Sequence, residues 1–176
     1  YIGTHAGGLT VLHRNSGKME SFNQLNSQLV NENVYAILPD KGGNLLLGTL
    51  SALVSFNPEK KSFTTIDKEK DGTPFTSQRI TILFRDSHKR LWVGGEEGIS
   101  VFQQEGIEIE KVPILPESSV TKTFTNCIYE AANGIIWVGT REGFYCFNEK
   151  EKKIKRYTTA NGLPNNVVYG ILEDTF

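Results

Sequence analysis

The three histidines are the first residues to consider for chemistry, because imidazole is a common metal ligand. His5, His13 and His88 are far apart along the chain. No two of them have the i, i+4 spacing that brings two ligands together on a helix. The sequence therefore predicts surface or turn histidines and no metal site.

Recurring aspartates suggest calcium binding as a second kind of chemistry. Asp40 precedes the turn sequence Lys41-Gly42-Gly43-Asn44, and Asp86 and Asp174 recur at the corresponding place in a pattern described below. Calcium takes six or more oxygen ligands, and these turns offer few. An aspartate at the start of a turn also bonds its own backbone. We interpret Asp40 and Asp86 as structural turn residues, with calcium binding as the weaker alternative.

The sequence carries no recognisable catalytic group. Gly94-Gly95-Glu96-Glu97-Gly98 is rich in glycine, but it lacks the Lys-Ser/Thr of a phosphate-binding loop and no helical pattern follows it. There is no nucleophile elbow, and no acid–base pair recurs with suitable spacing. We expect no catalysis and no cofactor for this segment, and an enzyme such as a lyase or hydrolase is the third-ranked interpretation.

An internal repeat organises the whole chain. The segments Leu45–Thr49, Leu91–Gly95 and Ile136–Thr140 share one pattern, and Tyr1-Ile2-Gly3-Thr4 is a fourth copy without its first residue. The steps between the shared glycines, from 3 to 48 to 94 to 139, are 45, 46 and 45 residues. A constant period of this length is the signature of a repeat architecture.

Each unit has the pattern of four short strands. In one unit, the apolar segment 34–38 ends at the turn of 40–44, and strands at 45–49, 53–57 and 62–66 follow. Four antiparallel strands per unit of about 45 residues are typical of a β-propeller blade. No segment shows the 3.6-residue apolar period of a helix. The sequence predicts an all-β fold, a partial propeller of about four blades.

The repeat also predicts the blade boundaries within a single propeller fragment, residues 1–176. The predicted blades are 1–32 (strands two to four only), 33–78, 79–124 and 125–165, and 166–176 is strand one of a further blade. Because the chain opens within a strand and without a signal peptide, we expect it to be a piece of a longer protein. We favour an open arc that self-associates through its end blades over a closed four-bladed ring.

Charge and hydropathy exclude two classes of partner. The net charge of −1 gives no basic excess for nucleic acid, and no apolar run reaches the roughly 18 residues of a membrane span. We expect no nucleic acid and no membrane contact for this segment.

Several repeated residues are expected to be structural. Trp92 and Trp137 share one position in the repeat, which indicates burial between blades. Cys127 and Cys146 fall on strands one and three of one blade, about 9.6 Å apart at ~4.8 Å per strand, too far for a disulfide. We expect two free, largely buried thiols. The repeated glycines are assigned the same structural role, and they are Gly48, Gly94 and Gly139.

The repeat unit, which contains an Asp-turn followed by Leu-Trp-Val-Gly-Thr, resembles the two-component regulator propeller repeat. The matching residues run from Asn33 to Asn57, from Arg79 to Phe102 and from Thr125 to Asn148. The resemblance implies the periplasmic sensor region of a hybrid two-component histidine kinase of the Bacteroidetes, such as Bacteroides, in which such segments respond to complex glycans. The kinase activity would belong to the parent inner-membrane protein. The alternative is a purely structural or protein-interaction propeller without its own ligand.

The face that carries the loops after strand two and the links between blades is where a ligand could sit, because these segments vary most. The polar side chains on this loop face suit an oligosaccharide, and the alternative is that they only solvate the rim of the propeller. They are His5, Arg79, Glu96, Arg141 and Glu142.

Overall fold

The computed structural model describes residues 1–75, 79–113 and 122–174 as four antiparallel sheets, which we number as blades 1 to 4. The first has three strands and each of the others has four, and strands neighbouring in the chain pair in every sheet. Short 3-10 turns occur at Lys41–Gly43 and Thr159–Asn161, and no helix of the described residues is long and apolar enough to cross a membrane. The predicted all-β propeller architecture is confirmed.

The strands have the following bounds. Blade 1 contains β1 (Ile2–Gly3), β2 (Leu9–His13) and β3 (Lys18–Phe22), and blade 2 contains β4 (Val34–Pro39), β5 (Leu45–Thr49), β6 (Leu53–Asn57) and β7 (Ser62–Ile66). Blade 3 contains β8 (Ile80–Arg85), β9 (Leu91–Gly95), β10 (Gly98–Glu105) and β11 (Glu108–Lys111). Blade 4 contains β12 (Thr125–Glu130), β13 (Ile136–Thr140), β14 (Gly143–Asn148) and β15 (Lys153–Tyr157).

The repeated glycine lies where one blade meets the next. A Cβ atom on Gly48 would be 2.7 Å from the carbonyl oxygen of Ile80, the first residue of blade 3. A Cβ on Gly3 would be 2.6 Å from the carbonyl oxygen of Val34, the first residue of blade 2. Both distances are far below van der Waals contact. Glycine therefore lets the inner strand of each blade approach the preceding sheet.

Three apolar cores fill the spaces between successive sheets. Blades 1 and 2 enclose a cluster in which the rings of Phe56 and Phe63 stack with centroids 4.5 Å apart. The second core lies between blades 2 and 3 and contains Leu46, which replaces the repeated tryptophan. The third lies between blades 3 and 4 and contains Trp92. Blades 2 and 3 are therefore buried on both faces, and blades 1 and 4 are each packed against one neighbouring sheet.

The two tryptophans occupy the same register but differ in burial. Trp92 pairs with Val101 and is fully buried, and its Nε1 donates a hydrogen bond of 2.8 Å to Asp86. Trp137 pairs with Cys146 in the corresponding place, yet it is only half-buried. The expectation of equal burial is wrong for Trp137, because no sheet of the described residues covers that face of blade 4.

The cysteines show the same effect. Cys127 and Cys146 are free and lie on the two strands that flank β13, which agrees with the predicted separation. Both are half-buried rather than largely buried. Cys146 lies opposite Trp137 and Cys127 lies opposite Gly139, so both thiols are on the same face of blade 4 as Trp137, which no sheet of the described residues covers. Partial burial raises the pKa of both thiols, which keeps them protonated at neutral pH.

Ion pairs join the blades on the face opposite the loops. Asp40 of blade 2 accepts a 3.1 Å hydrogen bond from Arg85 and a 2.9 Å bond from Gln104, both in blade 3. The interpretation that its side chain bonds its own turn is therefore wrong, because the neighbouring blade supplies the donors to the carboxylate. The backbone N–H of Asp40 does close the turn, donating to the Asn44 carbonyl at 2.8 Å. Asp86 does bond its own turn, accepting 2.8 Å from the Arg90 backbone N–H.

Arg90 extends this contact into blade 4. Its guanidinium donates to the carboxylate of Asp86 at 2.7 Å and makes two 2.7 Å bonds to Glu149. The hydrogen bonds from Arg90 hold the pKa of Glu149 below its ordinary value. The side chains of Arg90 and Asp86 are buried, so the pair depends on this complete set of partners.

The last described residues lie against blade 4 as an inner strand lies against the blade before it. The Val168 N–H donates to the Thr140 carbonyl at 2.8 Å, as Val34 donates to Thr4 at 3.0 Å. Among the described residues, no strand pairing joins this segment to β1, whose partner is β2. The described residues therefore show no strand pairing that would close a four-bladed ring.

We predict that the two tryptophans differ in their contribution to stability. Trp92→Ala should lower the free energy of unfolding by about 3–5 kcal/mol, the range for a large core aromatic. Trp137→Ala should cost only about 1–2 kcal/mol, because part of this side chain is already in water. Urea unfolding followed by circular dichroism measures both values, and equal losses would contradict the difference in burial.

We also predict that Gly48→Ala lowers the free energy of unfolding by about 1–3 kcal/mol, because the added methyl group forces the backbones of blades 2 and 3 apart. Gly170→Ala is the matched control, since a Cβ added there meets no atom within 4 Å. Thermal unfolding of both variants provides the comparison. A Gly48 variant as stable as the control would show that the sheets are not in close contact there.

Candidate functional site

The loop face is held together by backbone hydrogen bonds that repeat from blade to blade. The residue after the second strand donates to the carbonyl of the residue that precedes the first strand of the same blade. The N–H of Glu96 donates to Arg79 at 3.4 Å, and that of Arg141 donates to Phe124 at 3.2 Å. The predicted site residues are thus attached to a fixed backbone.

Arg79 has an unusual backbone conformation at the seam between blades 2 and 3. Its φ is +48°, in the left-handed region that disfavours residues with a Cβ. Its N–H donates to the Leu50 carbonyl of blade 2 at 2.7 Å, and its carbonyl accepts from Glu96. Two hydrogen bonds from two blades therefore hold this residue in a strained state.

The side chain of Arg79 lies between an aromatic ring and a carboxylate. Its guanidinium carbon is 5.8 Å from the centroid of the Tyr35 ring in blade 2, within range of a cation–π contact. Its Nη1 is 4.0 Å from Oε2 of Glu96, and both side chains are partly exposed. The structure thus brings together two of the predicted residues, Arg79 and Glu96, and adds Tyr35. We refer to these three residues as the Arg79 cluster.

Arg141 and Glu142 lie in blade 4, where each has a local partner. The guanidinium of Arg141 is 4.1 Å from the centroid of the Phe124 ring. The carbonyl of Glu142 accepts a 2.6 Å hydrogen bond from Arg156, whose Nη2 is also 3.4 Å from the Glu142 carboxylate. The Arg141 guanidinium and the Glu142 carboxylate therefore each already contact another side chain of the same blade.

His5 lies in the corresponding loop of blade 1 and is exposed. The N–H of its neighbour Ala6 donates to the side-chain oxygen of Asn33 at 3.1 Å, so the loop is tied to the start of blade 2. No group of three or more His, Cys, Asp or Glu in residues 1–75, 79–113 and 122–174 could hold a metal ion.

A cleft of about 280 Å³ lies next to the loop that carries Glu96. Phe75 lies at this cleft, and its ring meets Phe102 edge-on at 5.5 Å between centroids. The charged groups at its wall are Glu69, Glu97 and Lys111. An aromatic ring beside carboxylates and an amine can accommodate the apolar face and the hydroxyl groups of a sugar.

Sequence reasoning did not identify the aromatic partners Tyr35, Phe75 and Phe124. Tyr35 is the second residue of β4 and Phe124 directly precedes β12, so the repeat indicates their location but not their contact with arginine. Phe75 belongs to a link outside the repeat, and its position depends on how residues 67–75 fold back. The Lys70 N–H donates to the Ile109 carbonyl at 2.7 Å, which fixes that link on β11.

The comparison with known families supports the repeat assignment. The family described as two component regulator propeller matches residues 118–142, which include β12 and the Trp-Val-Gly-Thr of β13. The resemblance to this repeat family is confirmed.

The chain is also similar to much larger proteins. It is 28% identical over 161 residues to histidine kinase P4 of Formosa agariphila, which covers 87% of this chain and 12% of that protein. The extracellular domain of BT4673 from B. thetaiotaomicron, described as a hybrid two component system, has a TM-score of 0.76 at 20% identity, over 97% of this chain and 23% of that chain. The corresponding domain of BT3049 has a TM-score of 0.66 at 20% identity, over 87% of this chain and 21% of that chain. The chain therefore spans less than a quarter of each of these proteins.

We predict that the backbone at Arg79 is strained, and that replacing the residue by glycine or by alanine shows this strain as a difference in the free energy of unfolding. Arg79→Gly should be more stable than Arg79→Ala by about 1 kcal/mol, because glycine adopts a positive φ without the steric cost of a Cβ. Both variants lack the guanidinium, so the difference in their free energies of unfolding isolates the backbone. Equal stability in urea unfolding would show that the residue is unstrained.

Proposed function

We propose that this chain, which contains a two-component regulator propeller repeat, is a segment of the extracytoplasmic sensor of a hybrid two-component system. The match of this family to residues 118–142 supports the proposal, as does the similarity to a relative described as a histidine kinase. The segment itself contributes binding rather than catalysis, and kinase activity would reside elsewhere in the parent protein.

The proposed location follows from the same relatives. Two similar structures are described as extracellular domains of two component systems. For this chain we propose the periplasm, as part of a protein anchored in the inner membrane, with no nucleic acid bound and no membrane contact made by the segment. The net charge of −1 agrees with the absence of nucleic acid from this proposal, because the short basic runs near residues 60 and 150–156 sit among acids such as Glu59, Glu149 and Glu151.

We further propose that the loop face binds an oligosaccharide, and the observation that carries this proposal is the strained conformation of Arg79. Strain of this kind concentrates at binding sites, where the surrounding structure imposes it. The guanidinium and the Glu96 carboxylate can donate to and accept from adjacent sugar hydroxyls, and Tyr35 offers an aromatic face. The nearby cleft at Phe75 could extend the site by one sugar ring.

Of the five predicted residues, Arg79 and Glu96 are therefore the best candidates for ligand contact. The 4.0 Å separation of their charged atoms is too long for a hydrogen bond, so each retains donors or acceptors for a ligand. Arg141 and Glu142 have nearer partners in blade 4, and His5 lies in a different blade. We assign these three a secondary role at the edge of the loop face.

The second candidate function is a propeller that only holds or contacts neighbouring proteins. The aromatic side chains of blade 4 that the described residues leave half-buried, Trp137 and Phe144, are of the kind that packs against another protein surface or a further blade. This candidate requires no ligand on the loop face, so carbohydrate binding discriminates between the two.

The glycan proposal is tested with the 176-residue chain on an oligosaccharide array, followed by calorimetry of the strongest binder. We expect Arg79→Ala and Glu96→Ala each to weaken binding at least tenfold, the effect of losing a charge-assisted hydrogen bond of about 1.5–3 kcal/mol. Arg14→Ala is the matched control, since Arg14 is an exposed arginine in the turn between β2 and β3, at the opposite edge of the sheet.

The same experiment distinguishes the two parts of the site. If Phe75→Ala also weakens binding, the ligand extends into the cleft. If its binding is unchanged, the ligand contacts only the Arg79 cluster. If no plant or host glycan binds, the interaction function is preferred. Independently, a parent gene that encodes no membrane span and no kinase domain would refute the sensor assignment.

A further inference from the structure

A cleft of about 610 Å³ lies between blades 3 and 4, on the face opposite the loops. His88, in the turn between β8 and β9, lines one side of it, and two turns of blade 4 line the other side with residues 132–135 and 148–150. Both blades have all four strands, so the cleft lies at a seam between two whole blades. Its volume is typical of pockets that hold small molecules. We refer to it as the turn cleft.

Hydrogen bonds across the seam hold the two sides of the turn cleft together. Ser87, the neighbour of His88, donates its backbone N–H and its hydroxyl to Glu130 of blade 4, at 2.8 and 2.6 Å. Arg90 of blade 3 makes two 2.7 Å hydrogen bonds to the carboxylate of Glu149. The cleft is therefore formed before a ligand binds, which lowers the entropy cost of binding.

Two asparagines of blade 4 present amide donors to the turn cleft. The Oδ1 atom of Asn133 accepts the N–H of Ile135 at 3.1 Å, and the Oδ1 atom of Asn148 accepts the N–H of Glu151 at 3.3 Å. Neither Nδ2 atom has a hydrogen-bond partner in the part of the chain that the structure describes. Because the turn already holds the oxygen, each side chain offers its NH2 group to a ligand.

The open amide of Asn148 is a departure from the repeat. Asn57 is its counterpart in blade 2, since each asparagine ends the third strand of its blade. In blade 2 the Nδ2 atom of Asn57 donates to Oδ1 of Asn44 at 2.9 Å. Ile135 takes the place of Asn44 in blade 4, since each directly precedes the second strand. Isoleucine has no acceptor, so the donor of Asn148 is unused and an apolar side chain lies at the same cleft.

The charged side chains of the turn cleft differ in what they can offer to a ligand. Both carboxylate oxygens of Glu149 already accept hydrogen bonds from Arg90. Lys150 is exposed, and none of the described residues pairs with its ammonium group. The Nδ1 atom of His88 is 3.5 Å from the Ser87 hydroxyl, which leaves Nε2 available. The available groups are thus an ammonium, two amide NH2 groups and an imidazole nitrogen.

A site that offers hydrogen-bond donors and a positive charge selects a ligand that brings acceptors and a negative charge. We propose that the turn cleft binds a small organic anion through its carboxylate. Lys150 and the NH2 group of Asn148 donate to the carboxylate, and Asn133 and His88 donate to other acceptors of the same molecule. Ile135 contacts its carbon skeleton. Both the ligand class and the location differ from those of the oligosaccharide on the loop face.

An NMR titration of the isotope-labelled chain with sodium glucuronate tests the proposal. Glucose is the neutral counterpart, because it has the same ring with a hydroxymethyl group in place of the carboxylate. We expect glucuronate to shift the side-chain NH2 signals of Asn133 and Asn148, whereas glucose and an equal concentration of sodium chloride leave them unchanged. No shift with glucuronate, or an equal shift with glucose or with sodium chloride, overturns the proposal.

Two substitutions then test the groups that bind the carboxylate. Asn148→Asp keeps an oxygen for the Glu151 N–H but replaces the NH2 donor by a charged acceptor, so it should abolish glucuronate binding. Lys150→Gln should raise the Kd by about tenfold, the effect of losing one charge-assisted hydrogen bond. Lys152→Gln is the matched control, because Lys152 is an exposed lysine of the same turn that does not line the cleft.

Thermal unfolding without ligand shows that each variant is folded before its Kd is compared. The substitution at Lys150 removes an exposed side chain, so this variant keeps the test decisive even if Asn148→Asp fails to fold. Unchanged binding by Lys150→Gln, or an equal loss of binding by Lys152→Gln, contradicts the proposed site. Binding of glucuronate does not depend on the loop face, so this result and the result of the oligosaccharide array are independent.

Discussion

The close approach of each inner strand to the preceding sheet is the constraint on which this fold depends. The repeated glycine leaves no room for a Cβ, because the backbone or side chain of the next blade occupies that space at Gly3, Gly48, Gly94 and Gly139. Once the backbones are this close, the apolar faces of adjacent sheets meet and exclude water. The three cores between the blades follow from this geometry.

Polar contacts at both edges of the sheets fix the angle between adjacent blades, which the glycine contact alone does not determine. On one edge, Arg85 and Arg90 connect carboxylates of adjacent blades. On the loop edge, backbone hydrogen bonds such as that from Arg79 to Leu50 connect successive blades directly. Each described sheet is thus joined to its neighbours at its centre and at both edges.

The sequence was sufficient for the repeat, the four-stranded unit and the place of the candidate residues in the loops beside the inner strands, because these depend on local patterns of apolar residues and turns. The sequence was insufficient where a neighbouring blade determines the surroundings of a side chain. The Asp40 carboxylate bonds Arg85 rather than its own turn, and Trp137 is half-buried although its repeat position equals that of Trp92. The contact between Arg79 and Tyr35 joins residues 44 positions apart, and no local pattern encodes it.

The unequal environments of the two tryptophans also give the chain a built-in optical readout. Trp92 and Trp137 are its two indole fluorophores. The first is enclosed and hydrogen-bonded to Asp86, so its emission reports whether blades 3 and 4 remain packed. The second borders solvent, so its emission wavelength and its quenching by iodide report whether anything covers its face of blade 4. Selective replacement of either indole by phenylalanine would separate the folding of the propeller from the occupancy of its open face, without any attached dye.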